Sequence, residues 1–294
     1  MAIDSPAKAD CSVSTLIFTL NEGPNLHHCL DSLEWCDDIV VVDSYSTDET
    51  IELCRRRNIQ SVQHTFSGFG SQRNWALSEI PLAHEWVLIL DADERVPTEL
   101  ALELNRLAQT SPDCIGAYRL KRRFHLWGKW LRFSSLYPTW VVRFVRRPKV
   151  RYVNQGHSET QTVDGDLGQI EGYLIDENHK DLHAWFERQS RYSRQEADFE
   201  IEGENARDNW SDLVSRDPLR RRTVVKRIAS QLPFRGTLYF MYCYIFRLGF
   251  LDGRDGYVFC RMKALYQSMI AINKYDLKKN RRAENVRDAG GPDR

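Results

Sequence analysis

The first hundred residues alternate between short apolar runs and stretches whose apolar residues recur at helical spacing. Residues 12–20 form a β-branched apolar run, and residues 25–35 carry leucines at the spacing of one helix face. Two more buried-strand patterns follow at residues 38–43 and 86–90. Strands that alternate with helices at this spacing predict right-handed crossovers and a mostly parallel sheet. We therefore predict an α/β protein with a doubly wound sheet.

Polar side chains stand where three of these predicted strands end. Asn21 and Glu22 follow the first strand, Asp43 ends the second, and Asp91 ends the strand at residues 86–90. The carboxyl ends of parallel strands meet at one edge of a sheet, where the loops open a ligand-binding crevice. Helix capping is the structural alternative for such residues. For the two aspartates, which end hydrophobic strands and are followed by more acids, we favour ligand binding.

The stretch WVLILDADERV sets three acids directly after a buried strand. Asp91, Asp93 and Glu94 repel one another unless a cation or a cationic side chain lies among them. A D-x-D at a strand end can place two carboxylates on one Mg²⁺ or Mn²⁺, which then neutralises charge on a leaving diphosphate. The phosphatase signature D-x-D-x-T begins with the same letters, but Arg95 stands where it needs threonine. Neither a Rossmann nor a P-loop glycine motif is present, which argues against those chemistries.

Charge is balanced over the whole chain and uneven along it. Lys+Arg and Asp+Glu both number 41, so the net charge gives no sign of a nucleic-acid-binding protein. Residues 119–151, however, hold eleven Lys/Arg and no acid. Within them, Arg143 alternates with apolar neighbours as on a strand that flanks a site. A phosphate-rich ligand explains this stretch; nucleic acid stacked on its aromatic residues is the alternative, and we predict no nucleic-acid partner.

The cysteines and the N-terminus bear on the compartment. Seven scattered cysteines without a C-x-x-C pair fit a reducing compartment better than a disulfide framework. Cys29 and Cys36, with His27 and His28, match no common zinc spacing, so we interpret them as packing residues. Residues 1–10 are polar and predict a flexible tail, not a signal peptide. We expect a cytoplasmic protein.

Four motifs together resemble a known family. TLNE at residues 19–22, VVDSYSTDET at 41–50, GFGSQRNWAL at 68–77 and WVLILDADERV at 86–96 are similar in order and spacing to family-2 glycosyltransferases of the GT-A fold. Within that family they resemble bacterial enzymes of lipopolysaccharide-core and exopolysaccharide assembly. The later fragments RFVRR, QGHSET, HAWFERQSRYSRQEA and GFLDGRDGY extend the likeness over most of the chain. The resemblance implies a GT-A-like sheet with a C-terminal helical, aromatic-rich appendage.

The resemblance also implies an inverting transfer of a sugar from a nucleotide-sugar donor to a saccharide or lipid-linked acceptor. Asp43 would contact the base or ribose of the donor, supported by Asn21 and Glu22. Arg73 and Asn74 would hold the base or the phosphates. A UDP-sugar is favoured over a GDP-sugar as the donor.

The metal and the catalytic base follow from the same likeness. Asp91 would face the ribose or a Mg²⁺ or Mn²⁺ ion, and Asp93 would bind that ion. Inversion needs a base that takes the proton of the attacking hydroxyl. Glu159 is our choice, by likeness to the His-Glu element of the family, although Ser158 separates it from His157. His157 stays open as the base, as a metal ligand or as a residue that orients Glu159.

Two further acids, Asp164 and Asp166, are fallback candidates for the base, although their D-G-D sequence is first of all typical of a turn. Five segments result from the whole pattern: a tail at 1–10, a nucleotide-sugar-binding half at 11–112, an acceptor and catalytic half at 113–180, a helical region at 181–273 and a charged tail at 274–294.

The helical region contains an aromatic segment at residues 234–251. Its uncharged interval between Arg235 and Arg247 is eleven residues long, and a spanning helix needs about twenty. Basic residues beside an aromatic helix are typical of an interfacial anchor, here at the inner membrane face, but a buried core helix explains the pattern equally well.

Two other function classes remain open from the sequence. A sugar-nucleotide pyrophosphorylase also uses an α/β nucleotide sheet, but it usually carries a Gly-rich basic loop after its first strand, where this chain has only Gly23. A saccharide-binding protein without turnover would keep the aromatic residues and have no use for acids at metal spacing. Binding of a nucleoside diphosphate that depends on the metal separates a transferase from the scaffold.

Overall fold

The computed structural model describes residues 11–155, 158–203 and 234–289. The chain divides into two compact units, Met1–Lys180 and Asp181–Arg294. His157 lies outside the described residues, so its predicted role stays a prediction.

The first unit is built on a mixed sheet that has nine strands in the described part of the chain. Its strands are β1 (Val13–Thr19), β2 (Asp38–Asp43), β3 (Gln60–Gln63), β4 (Trp86–Asp91), β5 (Glu94–Arg95), β6 (Ile115–Leu126), β7 (Lys129–Trp130), β8 (Thr139–Arg146) and β11 (Asp166–Glu177). A separate antiparallel pair consists of β9 (Val150–Gln155) and β10 (Ser158–Val163).

Four helices belong to the first unit and three to the described part of the second. They are α1 (Gly23–Asp31), α2 (Thr50–Arg56), α3 (Phe69–Glu79), α4 (Thr98–Thr110), α5 (Leu182–Gly203), α6 (Arg235–Met241) and α7 (Gly253–Ala289). Helix α1 ends before the predicted limit at residue 35. The Ser32 hydroxyl bonds back to the Cys29 carbonyl at 2.7 Å, and the Trp35 indole N–H bonds to the Ser32 carbonyl at 3.1 Å, so side chains replace the continuing helix.

The strand order is β3-β2-β1-β4-β8-β6-β11-β5, and β7 pairs with the C-terminal end of β6. The first four strands are parallel, β8 runs antiparallel to both β4 and β6, and β11 is parallel to β6. The carboxyl ends of β1, β2, β4, β6 and β11 therefore meet at one edge with the amino end of β8. We call this the carboxyl edge and the opposite one the amino edge. The predicted mostly parallel α/β sheet is confirmed.

Apolar layers cover both faces of the sheet. Val41 packs with Leu26 of α1 on one face, whereas Val40 and Val42 pack with Ala76 of α3 on the other, and all five are fully buried. Burial on both faces explains why the strands appear in the sequence as continuous apolar runs instead of alternating ones. The same packing places the ends of α1 and α3 beside the carboxyl edge.

The seven cysteines all carry free thiols, and six of them are buried. Cys29 and Cys36 are 0% and 2% exposed and lie within the apolar core of the first unit. Their packing role, rather than a zinc site with the neighbouring histidines, is what the structure supports.

The second unit packs α5 against α7 through an apolar cluster that includes Ile201 and Ile270. After α6 the chain forms a π-helical turn at Tyr242–Phe246 and a 3₁₀ turn at Gly249–Asp252. The sequence predicts a charged tail from residue 274, but the structure continues α7 through to Ala289. Lys274, the first residue of this stretch, is only 8% exposed and pairs with Glu200 of α5 at 3.2 Å, which stabilises the helix at that point.

Within the described ranges, every helix is too short or too polar to cross a membrane.

Candidate active site

Asp43 ends β2 at the carboxyl edge and is fully buried. Its carboxylate accepts hydrogen bonds from Thr19 Oγ1 at 2.9 Å, from the Ser46 amide at 2.8 Å, from the Ser46 hydroxyl and from Gln63 Nε2 at 3.3 Å. The parallel register pairs Thr19 with Asp43, which is why the hydroxyl of β1 reaches it. We call these four residues the Asp43 cluster. Its hydrogen-bond donors are all neutral groups.

Asn21 and Glu22 shape the loop beside this cluster. Asn21 takes a left-handed backbone conformation with φ 56°, and its Oδ1 accepts a hydrogen bond from the Thr47 amide at 2.7 Å. The Glu22 carboxylate pairs with Lys180 Nζ at 2.6 Å and accepts from Asn25 Nδ2 at 2.6 Å. Both predicted residues lie at the carboxyl edge, and both are engaged in holding their loop, so their geometry supports a positioning role.

Asp91, at the end of β4, has charged partners instead. Its side chain is 36% exposed and pairs with Arg73 at 2.9 Å and with Arg143. Arg143 also pairs with the fully buried Glu94 at 3.1 Å. The acids that crowd the end of this strand are therefore balanced by arginines from distant parts of the chain.

The chain of alternating charges extends further along the edge. Arg122 of β6 contacts Glu94 at 3.6 Å and Asp176 of β11 at 3.2 Å. Together with the Arg73 and Arg143 pairs, these contacts form what we call the Asp91 network, whose members are Arg73, Asp91, Glu94, Arg122, Arg143 and Asp176. Buried charges are tolerated when each has a partner of opposite sign.

A β-bulge on β8 directs the Arg143 side chain towards Asp91 and Glu94. Tyr118 pairs with Phe144 and Arg119 pairs with Val142, so Arg143 is an extra residue on β8 that faces no partner on β6. A bulge turns a side chain out of the regular alternation and is frequent beside functional sites. The strand alternation seen in the sequence places Arg143 beside the site, and the bulge supplies its direction.

Arg73 joins the Asp91 network to the predicted base. It extends from α3, is 3% exposed, and its guanidinium contacts Glu159 of β10 as well as Asp91. Glu159 thus lies at the carboxyl edge near Asp91, as a base must. Its carboxylate is paired with the Arg73 guanidinium.

Asn74 holds the position of the strand pair that carries Glu159. Its Nδ2 donates to the Tyr152 carbonyl at 2.7 Å, and its Oδ1 accepts from the Tyr152 amide at 2.8 Å. Asn154 adds a second link, because its Oδ1 accepts from the Gly70 amide at 2.8 Å. Both polar atoms of Asn74 are committed to the backbone of β9, so the geometry supports a positioning role instead of the predicted contact with the donor.

The network shifts the acidity of its members in opposite directions. Burial opposes ionisation of Asp91, but Arg143 and Arg73 outweigh it and hold the pKa of Asp91 well below its usual range. Burial raises the pKa of Glu94, and the Asp91 charge adds to that effect. Burial also raises the pKa of Asp176 to about 7, against the opposing pull of Arg122. Asp91 is therefore the firmly ionised member of the three.

Asp93 lies in the turn that follows Asp91 and β4, at the same edge of the sheet. Its backbone carbonyl accepts from the Glu177 amide at 2.9 Å, and its carboxylate accepts from Asn178 Nδ2 at 3.2 Å. An oxygen ligand of this kind fits Mg²⁺ or Mn²⁺, which bind through one or two carboxylates plus substrate phosphates. Asp91 fits the predicted metal less well, because two arginines already neutralise it.

The fallback bases do not belong to the site. Asp166 starts β11 at the amino edge, where its amide bonds to the Cys114 carbonyl at 2.8 Å. Asp164 is next to it and donates its amide to the Lys149 carbonyl at 2.7 Å. The predicted alternative for the base is wrong for both residues, because they lie at the amino edge and the full length of β11 separates them from the network around Asp91.

The basic stretch contributes Arg122 and Arg143 to the Asp91 network, and its other cations serve two further purposes. Arg146 and Arg147 are structural: one pairs with Asp113 at 3.2 Å, and the other bonds carbonyls at the end of α3. Nearer the carboxyl edge, Lys121 lies 5.5 Å from the ring centre of Trp140, and Arg123 lies 4.3 Å from that of Trp130. This second group forms a basic and aromatic surface beside the site.

Glu94, Arg122, Asp176 and Asn178 are residues of the site to which sequence reasoning gave no role. Glu94 has a visible signal, since it directly follows the D-x-D and adds a third acid. Arg122 is one of eleven cations in its stretch and nothing in the sequence separates it from the others. Asp176 and Asn178 stand at the end of a long strand whose neighbours only the sheet order defines.

Comparison with known proteins gives a family match. The profile of the family described as Glycosyl transferase family 2 matches residues 14–173. The lipopolysaccharide core biosynthesis glycosyltransferase LpsC of Rhizobium meliloti is 27% identical over 285 residues, which cover 94% of this chain and 97% of that protein. An uncharacterized glycosyltransferase of Rickettsia prowazekii, RP128, is 31% identical over 111 residues, or 37% of each chain.

Solved structures of similar proteins include TarS 1-349 of S. aureus and the glucosyl-3-phosphoglycerate synthase of Mycobacterium tuberculosis. The TarS chain aligns with a TM-score of 0.41 and 15% identity, covering 92% of both chains. The synthase, crystallised with Mn²⁺, uridine diphosphate and glucosyl-3-phosphoglycerate, aligns with a TM-score of 0.32 and 21% identity over 40% of this chain and 46% of its own.

Proposed function

The chain belongs to glycosyl transferase family 2 and is a glycosyltransferase, and from that premise we propose that it is an inverting, metal-dependent enzyme that uses a nucleotide sugar. The observation that carries this proposal is the convergence of Asp43, Asp91 and Asp93 at one edge of the sheet. Strand β1 alone separates the strands of the first two residues. A donor laid across the ends of β2, β1 and β4 would reach all three.

The Asp43 cluster suits the base or ribose of the donor. A carboxylate accepts hydrogen bonds from nucleobase N–H groups or ribose hydroxyls, and the neutral donors around Asp43 can be exchanged for them without breaking an ion pair. Exchange of this kind costs less than separation of buried charges. Asn21 and Glu22 position the loop, and Asp91 faces the ribose. A uridine nucleotide is our first choice for the donor.

Asp93 would hold a Mg²⁺ or Mn²⁺ ion together with the diphosphate of the donor. When bound, the ion neutralises charge that develops on the leaving diphosphate. Arg73, which pairs with Asp91, could bind two phosphate oxygens of the donor through its guanidinium.

Glu159 would act as the base. The acceptor hydroxyl gives its proton to the Glu159 carboxylate, its oxygen bonds to the anomeric carbon, and the bond from that carbon to the diphosphate breaks. In the structure Arg73 holds Glu159. Because a diphosphate carries more negative charge than one carboxylate, the donor would draw Arg73 away and release Glu159 for the proton transfer.

The acceptor would be a saccharide or a lipid-linked saccharide of the cell surface. The relative from Rhizobium meliloti is named for lipopolysaccharide core biosynthesis. The basic and aromatic surface around Trp130 and Trp140 supports an anionic sugar as the acceptor, since aromatic rings stack on sugar faces and the cations attract phosphate or carboxylate groups. Such an enzyme would act in the cytoplasm.

A panel of nucleotide sugars, scored by released nucleoside diphosphate with Mn²⁺ or with EDTA, tests the proposal. We expect release from one donor, and only with the metal. Release of inorganic pyrophosphate from a nucleoside triphosphate and a sugar phosphate would instead indicate a pyrophosphorylase. Binding of saccharide without turnover of any donor would indicate a scaffold.

Two variants test the base. Glu159→Gln should lower turnover by at least about a hundredfold, because general base catalysis contributes about 10²–10⁴ in rate, while the affinity for nucleoside diphosphate stays unchanged. Asp166→Asn, at the amino edge, is the matched control and should keep its activity. Equal activity in both variants would remove Glu159 from the mechanism.

A further inference from the structure

The segment from α6 to the 3₁₀ turn exposes an unusual amount of apolar surface. Phe234 is 82% exposed and Phe246 is 73% exposed, and seven other large apolar side chains nearby are each more than 40% exposed. We call these nine residues the apolar surface: Phe234, Leu238, Met241, Tyr242, Ile245, Phe246, Leu248, Phe250 and Leu251. A concentration of this kind within eighteen residues marks an interaction site, because single exposed apolar residues are normally scattered.

The packing of this segment is inverted relative to an ordinary amphipathic helix. Its buried positions are the small residues Gly236, Cys243 and Gly249. A Cβ at Gly236 would lie 2.1 Å from Ser268 Oγ and 2.6 Å from the Ala264 carbonyl oxygen, so this side of the segment is in close contact with α7. Core helices turn their large apolar residues inward and expose polar ones.

The inversion decides between the two interpretations that the sequence left open. A buried core helix would bury phenylalanine, leucine and isoleucine against α7, whereas the fully buried residues here are glycine and cysteine. Phe240 and Tyr244 contact Tyr257 of α7 and are only half-buried. The contact with α7 fixes the segment, while its large side chains are available to another apolar phase.

The charges around the segment are mostly positive. Residues 234–275 hold six Lys/Arg and two Asp, and two of these cations, Arg235 and Lys274, pair with Glu200 of α5. One of the acids, Asp252, is only 5% exposed, whereas Arg254 and Arg261 are exposed. Arginine beside exposed aromatic rings matches the boundary of an anionic bilayer, where rings lie at headgroup depth and cations contact acidic lipid.

We propose that the apolar surface docks the protein on an anionic lipid bilayer, with Phe246 and Ile245 inserted at headgroup depth and Arg254 and Arg261 against the lipid phosphates. The segment lies on the membrane and does not cross it, since its uncharged interval of eleven residues is about half of a span. This partner is independent of sugar transfer, and it can be measured without any nucleotide sugar.

Sedimentation with vesicles tests the proposal on the full-length chain. We expect binding to vesicles of phosphatidylcholine with about one third phosphatidylglycerol, and clearly weaker binding to phosphatidylcholine alone. Phe246→Gln should weaken binding about tenfold, as expected for the loss of one inserted aromatic side chain. The double variant Arg254→Gln, Arg261→Gln should lose most of the preference for the anionic lipid.

The matched control is Leu167→Gln, which removes a side chain 46% exposed in the first unit and should leave vesicle binding unchanged. Because polar substitutions at exposed positions barely change stability, equal thermal midpoints are expected for all variants. A Phe246→Trp variant gives a second readout: lipids brominated near the headgroup should quench its added fluorescence.

Two outcomes overturn the proposal. Vesicle binding that Phe246→Gln and the arginine double variant leave unchanged would assign lipid contact to another surface. Failure to bind vesicles, together with a concentration-dependent dimer that Phe246→Gln abolishes, would assign the apolar surface to a second copy of this chain. In either case, turnover of a nucleotide sugar by the soluble protein would leave the proposed function standing.

Discussion

Asp43 and Asp91 end two buried parallel strands on either side of β1, and their carboxylates are stabilised in different ways. Neutral hydroxyl, amide and backbone groups surround Asp43, whereas two arginines hold Asp91. The groups around Asp43 can exchange a hydrogen bond to its carboxylate for one to a ligand. The arginines around Asp91 balance its charge, so removal of one of them costs much more stability. Similar motifs in the sequence thus have different electrostatic environments at one edge.

The partners also come from different distances along the chain. Ser46 is three residues from Asp43, and Thr19 reaches it through the register of the adjacent strand. Arg143 is 52 residues from Asp91 and comes from the antiparallel strand β8. The Asp43 cluster is therefore almost local, while the Asp91 network exists only after the sheet has assembled.

The largest effect should come from Arg143→Met, which removes the cation shared by Asp91 and Glu94. Leaving a buried charge without its partner costs about 3–5 kcal/mol, so we expect the free energy of unfolding in urea to fall by that amount. Arg119→Met is the control, because Arg119 only donates to Gln169 at 3.1 Å and lies 5.0 Å from the ring centre of Trp140. Similar losses in both variants would contradict the Asp91 network as a stabilising unit.

Asp43→Asn should have a smaller effect on stability and a clear one on ligand binding. The NH₂ group of the new side-chain amide would face the hydrogen-bond donors that surround this position. A buried group left without a partner costs about 1–3 kcal/mol. Isothermal titration should show weaker binding of the nucleoside diphosphate. Asp38→Asn is the control, since Asp38 bonds the Ala83 amide at 2.7 Å at the amino edge. If the two variants bind the diphosphate equally well, Asp43 has no contact with the donor.

The stability difference between the wild type and Asp176→Asn should depend on pH. The folded protein raises the pKa of Asp176 from 3.8 to about 7, mainly through burial. The contribution of this carboxyl group is therefore fully present below about pH 4 and is lost as pH rises through about 7. Between pH 5 and pH 8 the wild type should lose about 2–3 kcal/mol relative to the variant.

Urea denaturation at the two pH values measures this difference, and Asp113→Asn, whose side chain is fully exposed, supplies the control. A wild type that gains stability relative to Asp176→Asn as pH rises would reverse the sign and place the firmly ionised acid at Asp176 instead of Asp91.

The smallest effect should come from Asn21. Asn21→Ala loses the bond to the Thr47 amide and keeps an unfavourable φ of 56°, at a cost of about 1 kcal/mol. Asn21→Gly loses the same bond but adopts this φ without strain. Thermal unfolding should rank the wild type above the glycine variant and the glycine variant above the alanine variant. The reverse order would mean that the backbone conformation of Asn21 carries no strain.

How far the sequence predicts the site depends on the distance between partners. The apolar runs predict β1, β2 and β4 within a few residues, and the polar residues at their ends do meet at one edge. Asn74 shows the limit of the method: its motif indicates a ligand contact, whereas its amide bonds to the backbone of Tyr152, 78 residues away. A side chain with two possible partners is assigned only when both are in place.

The aromatic segment of the second unit shows the same limit of prediction from sequence. An aromatic segment next to arginines predicts either burial or membrane contact, because composition does not reveal which side of a helix faces its neighbour. The contact of Gly236 with Ala264 and Ser268 of α7 decides it, and that contact exists only once α6 has packed against α7.

The sequence by itself determined the parallel strands, the edge at which Asp43, Asp91 and Asp93 meet, and the family, because apolar periodicity and strand-end motifs act over a few residues. Only the tertiary structure decided that Arg73 and Arg143 neutralise Asp91, that Glu159 contacts Arg73, and that nine large apolar residues of the aromatic segment face outward. The physical reason is that ion pairs and burial depend on distance in space, and strand order, a β-bulge and helix packing set those distances.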